Sequence, residues 1–590
     1  MDILWQDVKY GIRSLLRTPS FTIIAVLTIA LAIGANTAMF SVINAVLLRP
    51  LPYAKPDRLM AVWQYDPNGS INAFTTPNFV DWRRQGGIVS GLAAYSAQSY
   101  NIADQDVPEH VGGGLLSKEL LTAFGVQPIL GRNFTAEEDR PNGPPVVLLS
   151  DVLWKTRFNS DPNVLSRTVK LDGAPYTIVG VMPPNFSVLS KNELLWTPLK
   201  MDPNDPSKSR RIHWMWAFLR LPDGMSQQQA QAEIDGIAAR LKTQDPSGDA
   251  ARGLQLQSMP EFVYGNVKPA LLLLMGSVGL VLLIACSNVV NLLLARGATR
   301  QVELSVRSAL GAPRGRLIRQ LLTESLVLSI VSGALGLGLG ALALKLLLAM
   351  HPTNIPRVDD IRIDPAVLLF TLGVSGLMGV IFGLAPAFTG SRANLSEVLK
   401  EGVRTSSGRI GKQRAVFVFA ETTLACMLLI GAGLATKSLW VLSKVSPGFN
   451  PKNVTVMRVS VPKGVATEQI PEFYRRVLER VQGLPGVEAA TLGRDLPMTG
   501  SADPSMPIQL DGATPTIGPN ETITRFRAVA PSYFHTLQTP MLRGREFADT
   551  DTAISLNVVV VSEALLARRG PDRQATEAGD PRGTVLHGCG

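Results

Sequence analysis

Five long apolar runs alternate with polar stretches of domain size along this chain. The first run, Phe21–Leu48, precedes a polar region at roughly 49–267. Three more follow in close order, at about Ala270–Leu294, Leu326–Met350 and Ala366–Phe388. A fifth, about Ala415–Leu442, restarts the pattern and leads into a second polar region. Each run is nearly free of charge and exceeds the ~20 residues that a helix needs to cross a bilayer. The pattern predicts one span, a large domain, three spans, and then a second span with its own domain. A cleaved signal peptide is the competing reading of the first run, but signal h-regions are only about 7–15 residues long.

Finer patterning fills in the polar stretches. Leu4, Trp5, Val8, Ile12, Leu15 and Leu16 recur at helical spacing, with Lys9, Arg13 and Arg17 on other faces. This predicts an amphipathic helix within residues 1–20, either lying in the cytoplasmic interface or packed on neighbouring spans. In the region 49–267, Val169–Leu171, Asp172-Gly173 and Tyr176–Val181 read as a hairpin with a tight turn. Trp214–Leu221 reads as a strand. Ser226 caps a helix whose apolar face is Ala230, Ile234, Ile237, Ala238 and Leu241. The second region, 443–569, reads as a βαβ unit: strands at Val454–Val461 and Val487–Leu492 flank a helical stripe from Ile470 to Val481. The fold class is therefore an α-helical transmembrane bundle with α+β extracytoplasmic domains.

Short motifs repeat in matched order. PILGRNF at 128–134 and PMLRGREF at 540–547 are each followed by a β-branched run, VVLLSDVLW from Val146 and VVVVSEALL from Val558. This predicts an internal duplication whose second copy is incomplete. Residues 570–590 show no periodicity and read as an unstructured, frame-shifted or truncated tail.

Charge changes the picture by its placement. The chain has 590 residues, 46% of them hydrophobic, and a net charge of +10. Arg296, Arg300, Arg307, Arg314, Arg316 and Arg319 crowd the loop between the second and third spans. Arg392, Lys400, Arg404, Arg409, Lys412 and Arg414 crowd the basic linker 391–414. Positive charge on alternate loops places the N-terminus and both loops in the cytoplasm and the large domains outside. It also argues against nucleic acid as the partner of the excess charge.

Candidate chemistry is sparse. The five histidines are scattered without metal-ligand spacing, and no serine or cysteine nucleophile motif stands out. No catalytic residue, cofactor or metal is predicted. Gly431 to Ser438 nearly matches a phosphate-binding loop, but Thr436 stands where glycine is required and the segment lies at the end of a span. Gly336 with Gly340, and Gly379 with Gly383, are GxxxG pairs suited to close helix packing. Glu421 is an acidic residue just inside the fifth span, with Arg414 as a candidate interfacial partner. The loop 295–325 carries Glu303 and Arg307 at i,i+4 spacing. Gly311 can end one short helix there and Pro313 can open the next. On spacing alone, this loop is either a functional surface or a solvated connector.

That loop resembles the one in MacB-like (FtsX-like) permeases of ABC systems. The resemblance rests on Glu303, Arg307, Ala309-Leu310-Gly311-Ala312, Gln320 and Glu324. The first outer region is similar to the family's periplasmic core domain through Trp154, Phe158, Asp161-Pro162, Asp172-Gly173, Tyr176 and GVMPPNF ending at Phe186. The resemblance covers nearly the whole chain to about Arg569, and the arrangement is similar to permeases that fuse two such halves.

It implies a MacB-like core at 49–267, an FtsX-like permease domain at 268–390, and an ATPase-coupling loop containing Glu303, Arg307, Leu310, Gly311, Ala312, Arg319, Gln320 and Glu324. It further implies a multi-pass protein of a bacterial inner membrane, with periplasmic domains and ATP hydrolysis in a separate ABC ATPase chain. Other partners implied are the lipid bilayer, a second permease copy, and periplasmic or outer-membrane proteins. The alternative is an orphan membrane scaffold or signalling protein whose outer domains bind an envelope partner without an ATPase.

Overall fold

Each apolar run becomes a helix. The computed structural model describes the chain except residues 1, 66–70, 103–108, 191, 206–212, 245–252, 310–312, 351–354, 391–406, 460, 462–465, 495–504, 509–521, 526, 553, 568–583 and 589–590. Five helices among the described residues are long and apolar enough to cross a membrane: Pro19–Leu48, Lys268–Leu293, Ile318–Ala349, Pro365–Leu384 and Val418–Lys444. The chain divides into two compact units. One joins Met1–Leu51 to Pro260–Lys444, and the other joins Pro52–Met259 to Val445–Gly590.

In the first unit, the first-span helix Pro19–Ile43 starts at a proline, which is tolerated there because the first N–H groups of a helix have no intrahelical partner. The helix ends in a π-helical turn, Asn44–Leu48. It packs against the third-span helix Arg314–Ala349, which also carries the fourth-span helix Pro365–Gly390. Ile29, Ile33, Val289, Val290, Leu328 and Phe382 make a buried core near one end of the first span. Val42, Val46, Leu271, Leu344 and Ile361 make another near its other end. The fifth-span helix, Ser407–Lys444, packs on the second-span helix Lys268–Ala309 and is otherwise exposed.

The expected pair of short helices between the second and third spans is not separate from them. The first is the C-terminal end of the helix Lys268–Ala309, 42 residues long. The second is the start of the helix Arg314–Ala349. No proline interrupts 294–309, and a lone Gly297 costs a helix only about 1 kcal/mol. Pro313, in an extended conformation, makes the break.

The second unit contains an 11-stranded mixed sheet. Its strands are β1 (Leu59–Tyr65), β2 (Ile71–Asn72), β3 (Ala93–Ile102), β4 (Glu109–Leu116), β5 (Leu130–Gly131), β6 (Val146–Leu149), β7 (Thr168–Leu171), β8 (Ala174–Val181), β9 (Glu193–Pro198), β10 (Trp216–Arg220) and β11 (Leu254–Ser258). The order is β11-β1-β10-β3-β4-β9-β6-β8-β5, with β2 on β1 and β7 joined to β3 and β8. Two helices, Thr76–Arg84 and Gln227–Gln244, cover the β1-β10-β11 part, burying Phe79, Trp82, Ile234 and Ile237. Helix Asp151–Phe158 covers the β6-β8-β9 part through Leu153, with Trp154 and Phe158 at the margin. The expected hairpin is β7–β8, with Asp172 at φ 49° and Gly173 at φ 83°, both left-handed as its tight turn requires.

Glu193 is the polar centre of this sheet. Its buried carboxylate accepts from Tyr95 Oη at 2.7 Å, Trp196 Nε1 at 3.0 Å and the backbone amides of Val188, Leu189 and Ser190. Burial, and then the nearby Glu193 charge, push the Tyr95 phenol well above its usual range. Gly114 on β4 leaves room for these rings: a Cβ there would stand 2.6 Å from Tyr95 and 2.9 Å from Trp196.

The second outer region departs from the expected βαβ unit. Helix Ile470–Gln482 forms. Val454–Val461 and Val487–Leu492 make no strand ladder among the described residues; the nearest pairing is the bridge Gly493–Val529. Residues 460 and 462–465 lie outside the described residues. Alternation specifies which side chains share a face but supplies no partner strand, and Val456 and Met457 stay exposed. The tail also departs: Thr584–Gly588 pairs in parallel with Asn557–Val561, so that part of 570–590 is a strand.

The repeated motifs share local geometry. Gly131 and Gly544 both have positive φ. The following arginines grip an acid six residues on in two-pronged fashion, Arg132 to Glu138 and Arg545 to Asp551. Ser150 and Ser562 then separate a strand from a helix in both segments.

Candidate functional site

Three of the expected coupling residues fall near the start of the third-span helix. Arg319 and Gln320 lie about one turn before Glu324, and the N-terminal helix Asp2–Leu16 docks on this segment. Asp7 Oδ2 accepts from Arg319 Nε at 2.9 Å. Gln320 Nε2 donates to Glu324 Oε1 at 3.2 Å, which helps to offset the cost of burying that carboxylate. Gly11 is buried against Glu324, and a Cβ there would stand 3.4 Å from the Glu324 Cα. The N-terminal helix is therefore packed on a neighbouring span by one face. Its apolar Trp5, Ile12 and Leu16 remain exposed on another. Glu303 and Arg307 lie on the helical extension Lys268–Ala309, but their side chains, like Leu310, Gly311 and Ala312, are outside the described residues.

Midway along the helices, glycines bring backbones together. A Cβ on Gly336 would lie 2.9 Å from Ala30 O, and one on Gly340 3.0 Å from Gly34 O. Nearer the start of the third-span helix, a Cβ on Gly379 would lie 3.0 Å from Leu326 Cα, and one on Gly383 2.8 Å from Leu322 Cα. Polar bonds tie the first span to the fourth and to the second. Thr37 and Thr371 share a buried hydroxyl contact of 3.0 Å, and Asn36 Nδ2 donates to Val278 O at 3.1 Å. Glu421 is half-buried just inside Val418–Lys444, and the side chain of Arg414 is outside the described residues.

At the far end, the first span is tied to the loop before the fourth. Asn44, in the π-turn, donates to Asp364 Oδ2 at 2.8 Å, and Arg49 Nη2 does so at 2.7 Å. Asp364 also caps the fourth-span helix by accepting from Val367 N. Arg357 bonds Asp360 and reaches back to the carbonyl of Arg49. Desolvation works against the Asp364 charge, but the Val367 amide, Arg49 and Asn44 outweigh it and hold the carboxyl below its usual range. Sequence reasoning missed Asp7, Gly11, Gly34 and the Asn44–Arg49–Asp364 cluster. The one local signal was Asp364-Pro365, an N-cap followed by proline at the first helical position.

The ends and middle of these helices thus hold packing and charge pairs from the start of the third-span helix to the loop before the fourth. Among the described residues, no group of histidine, cysteine, aspartate or glutamate is arranged to hold a metal. Against known families, residues 22–237 match the MacB-like periplasmic core domain, and residues 275–395 match the FtsX-like permease C-terminal domain. The chain belongs to the MacB-like, FtsX-like permease family.

Relatives in this family are named as ABC permease components. A macrolide export ATP-binding/permease protein MacB of Neisseria gonorrhoeae is 26% identical over 46% of this chain and 40% of its own length. An uncharacterized ABC transporter permease, YvrN of Bacillus subtilis, is 25% identical over 53% of this chain and 76% of its own length. The matched region is thus less than half of the Neisseria relative. The crystal structure of the periplasmic region of MacB from Actinobacillus actinomycetemcomitans is 15% identical over 36% of this chain and 92% of its own, with a TM-score of 0.27.

Proposed function

We propose that this chain is the membrane subunit of an ABC export system, driven by a separate ATPase chain in a bacterial inner membrane. The observation that carries the reading is the order of its parts. The match to the MacB-like core domain takes in the first apolar helix and the α+β region after it, and the match to the FtsX-like domain takes in the next three helices. In this reading the helix ends around Glu303, Arg307 and Arg319–Glu324 face the cytoplasm and receive the ATPase. The long helices carry its motion to the outer domains, which act on an extracytoplasmic substrate. Such a device needs two arrangements of the helices that nucleotide biases unequally. The docked Asp7–Arg319 pair and the Asn44–Arg49–Asp364 cluster are contacts that such a change would make or break.

The test is co-purification of the tagged chain from its native membrane with an ATP analogue present. A stoichiometric ABC ATPase, lost on charge reversal at Glu303 or Arg307 while the chain still folds, supports the reading. Unchanged ATPase recovery in those variants refutes the coupling role of these residues. Envelope proteins recovered without an ATPase would favour the scaffold alternative.

A further inference from the structure

The core domain contains a basic cleft that the transport reading does not use. It is about 820 Å³ in volume and lies between the segment Ala54–Arg58, the helix Leu120–Phe124 with Lys118-Glu119 before it, and the Arg220–Asp223 end of β10. Phe134, Leu221 and Pro222 provide apolar wall, while Lys55, Arg58, Lys118 and Arg220 provide charge. The carboxylates at the cleft are already engaged. Asp223 is bonded to Lys55 at 3.1 Å and to Arg58, and Glu119 is bonded to Arg83 at 2.6 Å with Lys118 Nζ at 3.8 Å. Counting Arg83, five cations face two carboxylates.

Arg220 is the informative member. Its Nε donates to Ala123 O and its Nη1 to Lys55 O, but its buried Nη2 has no hydrogen-bond partner among the described residues. A buried guanidinium donor without an acceptor costs free energy, which a small shift of the Arg220 side chain toward an anion in the cleft would recover. Asp223 does not fill this role, because it sits on the exposed rim. Gly125, at φ 64°, keeps this floor open: a side chain there would press on Ala54 and approach Arg220 Nη2 to 3.4 Å.

We propose that this cleft binds a phosphate-class anion attached to an apolar group, with Arg220, Lys118 and Lys55 on the phosphate and Phe134 and Leu221 beside the apolar part. A tetrahedral oxyanion presents oxygens in several directions, matching donors that arrive from three separate segments. A planar carboxylate matches them less well.

The test uses the purified full chain in non-ionic detergent, titrated calorimetrically with inorganic phosphate, phenyl phosphate and dihexanoylphosphatidic acid. One saturable site is expected, weakened about tenfold or more by Lys118→Gln and by Arg220→Gln, since each removes a charged hydrogen bond. Lys55→Gln and Arg220→Lys, checked by thermal unfolding, keep the test decisive if Arg220→Gln disturbs the fold. Binding of the esters at least tenfold tighter than inorganic phosphate identifies a lipid-type or organic phosphate as occupant. Equal affinity identifies free phosphate and removes the apolar part of the proposal. No saturable binding, or binding indifferent to Lys118→Gln, Lys55→Gln and Arg220→Lys, overturns it.

Discussion

Replacing Glu193 by glutamine tests how much of the core domain depends on one buried carboxylate. Oε1 accepts from Tyr95 Oη, Leu189 N and Ser190 N; Oε2 accepts from Val188 N at 3.1 Å and Trp196 Nε1 at 3.0 Å. In Glu193→Gln the amide oxygen best serves the three-donor side. The new NH₂ group then faces two further donors, so two buried N–H groups lose their acceptor at about 1–3 kcal/mol each. The three remaining bonds lose the strength that the charge lends them. A cost of about 3–5 kcal/mol follows, and each 1.4 kcal/mol is a factor of ten in an opening equilibrium. Native-state hydrogen exchange of peptides from β3 and β9 in the full chain reads that opening directly. Exchange at least a hundredfold faster is expected for Glu193→Gln, and faster still for Glu193→Leu. Trp196→Phe removes one of the two stranded donors, so the further effect of Glu193→Gln in that background is smaller by about tenfold. Exchange within threefold of the parent in Glu193→Gln would refute the carboxylate's central role.

Three other outcomes are expected. Gly34→Leu places a side chain where a Cβ alone would stand 2.9 Å from Gly336 O, costing about 1–3 kcal/mol and lowering the melting temperature of the solubilised chain; an unchanged melting temperature would mean the helices are not in this contact. Asp7→Asn and Arg319→Gln break a pair seen at 2.9 Å. A double-variant cycle on nucleotide-dependent ATPase recovery should show non-additive losses, and additive losses would mean that the pair does not act as a unit. The folded pKa of Asp364 lies below its unfolded value, so its stabilising contribution is present above pH ~4 and is lost as pH falls through the folded pKa. Asp364→Asn should therefore flatten the acid limb of the chain's stability curve relative to the parent, and identical acid limbs would contradict the assignment.

Local physics made some of this architecture legible in the sequence, and distance hid the rest. Spans are readable because a bilayer demands an unbroken apolar run, so Phe21–Leu48 announced the helix Pro19–Leu48 almost to the residue. The β7–β8 hairpin is readable because Asp172-Gly173 suits a left-handed turn. The coupling loop misled because Gly311 and Pro313 mark helix ends without revealing that the helices continue the spans on either side. Val454–Val461 misled because alternation needs a partner strand to become a sheet. The Glu193 centre joins Tyr95 to 188–196, and the Asp7–Arg319 pair joins residues 312 apart in the chain. Such pairings are chosen by the folded topology and leave no local pattern.

The glycine contacts fall at two heights along one helix: Gly379 and Gly383 bring the fourth span against Leu322 and Leu326, and Gly336 and Gly340 meet the first span further along. Three helices are thus pressed together with little compressible side-chain padding between them. The middle one is 36 residues long and so about 54 Å from end to end, and in the proposed mechanism it would serve as a stiff pushrod. A displacement applied at Arg319 reaches the far end with little damping. There the loop before the fourth span holds the end of the first through Asp364, so in that mechanism movement at the base would become a pull on the chain that leaves the first span.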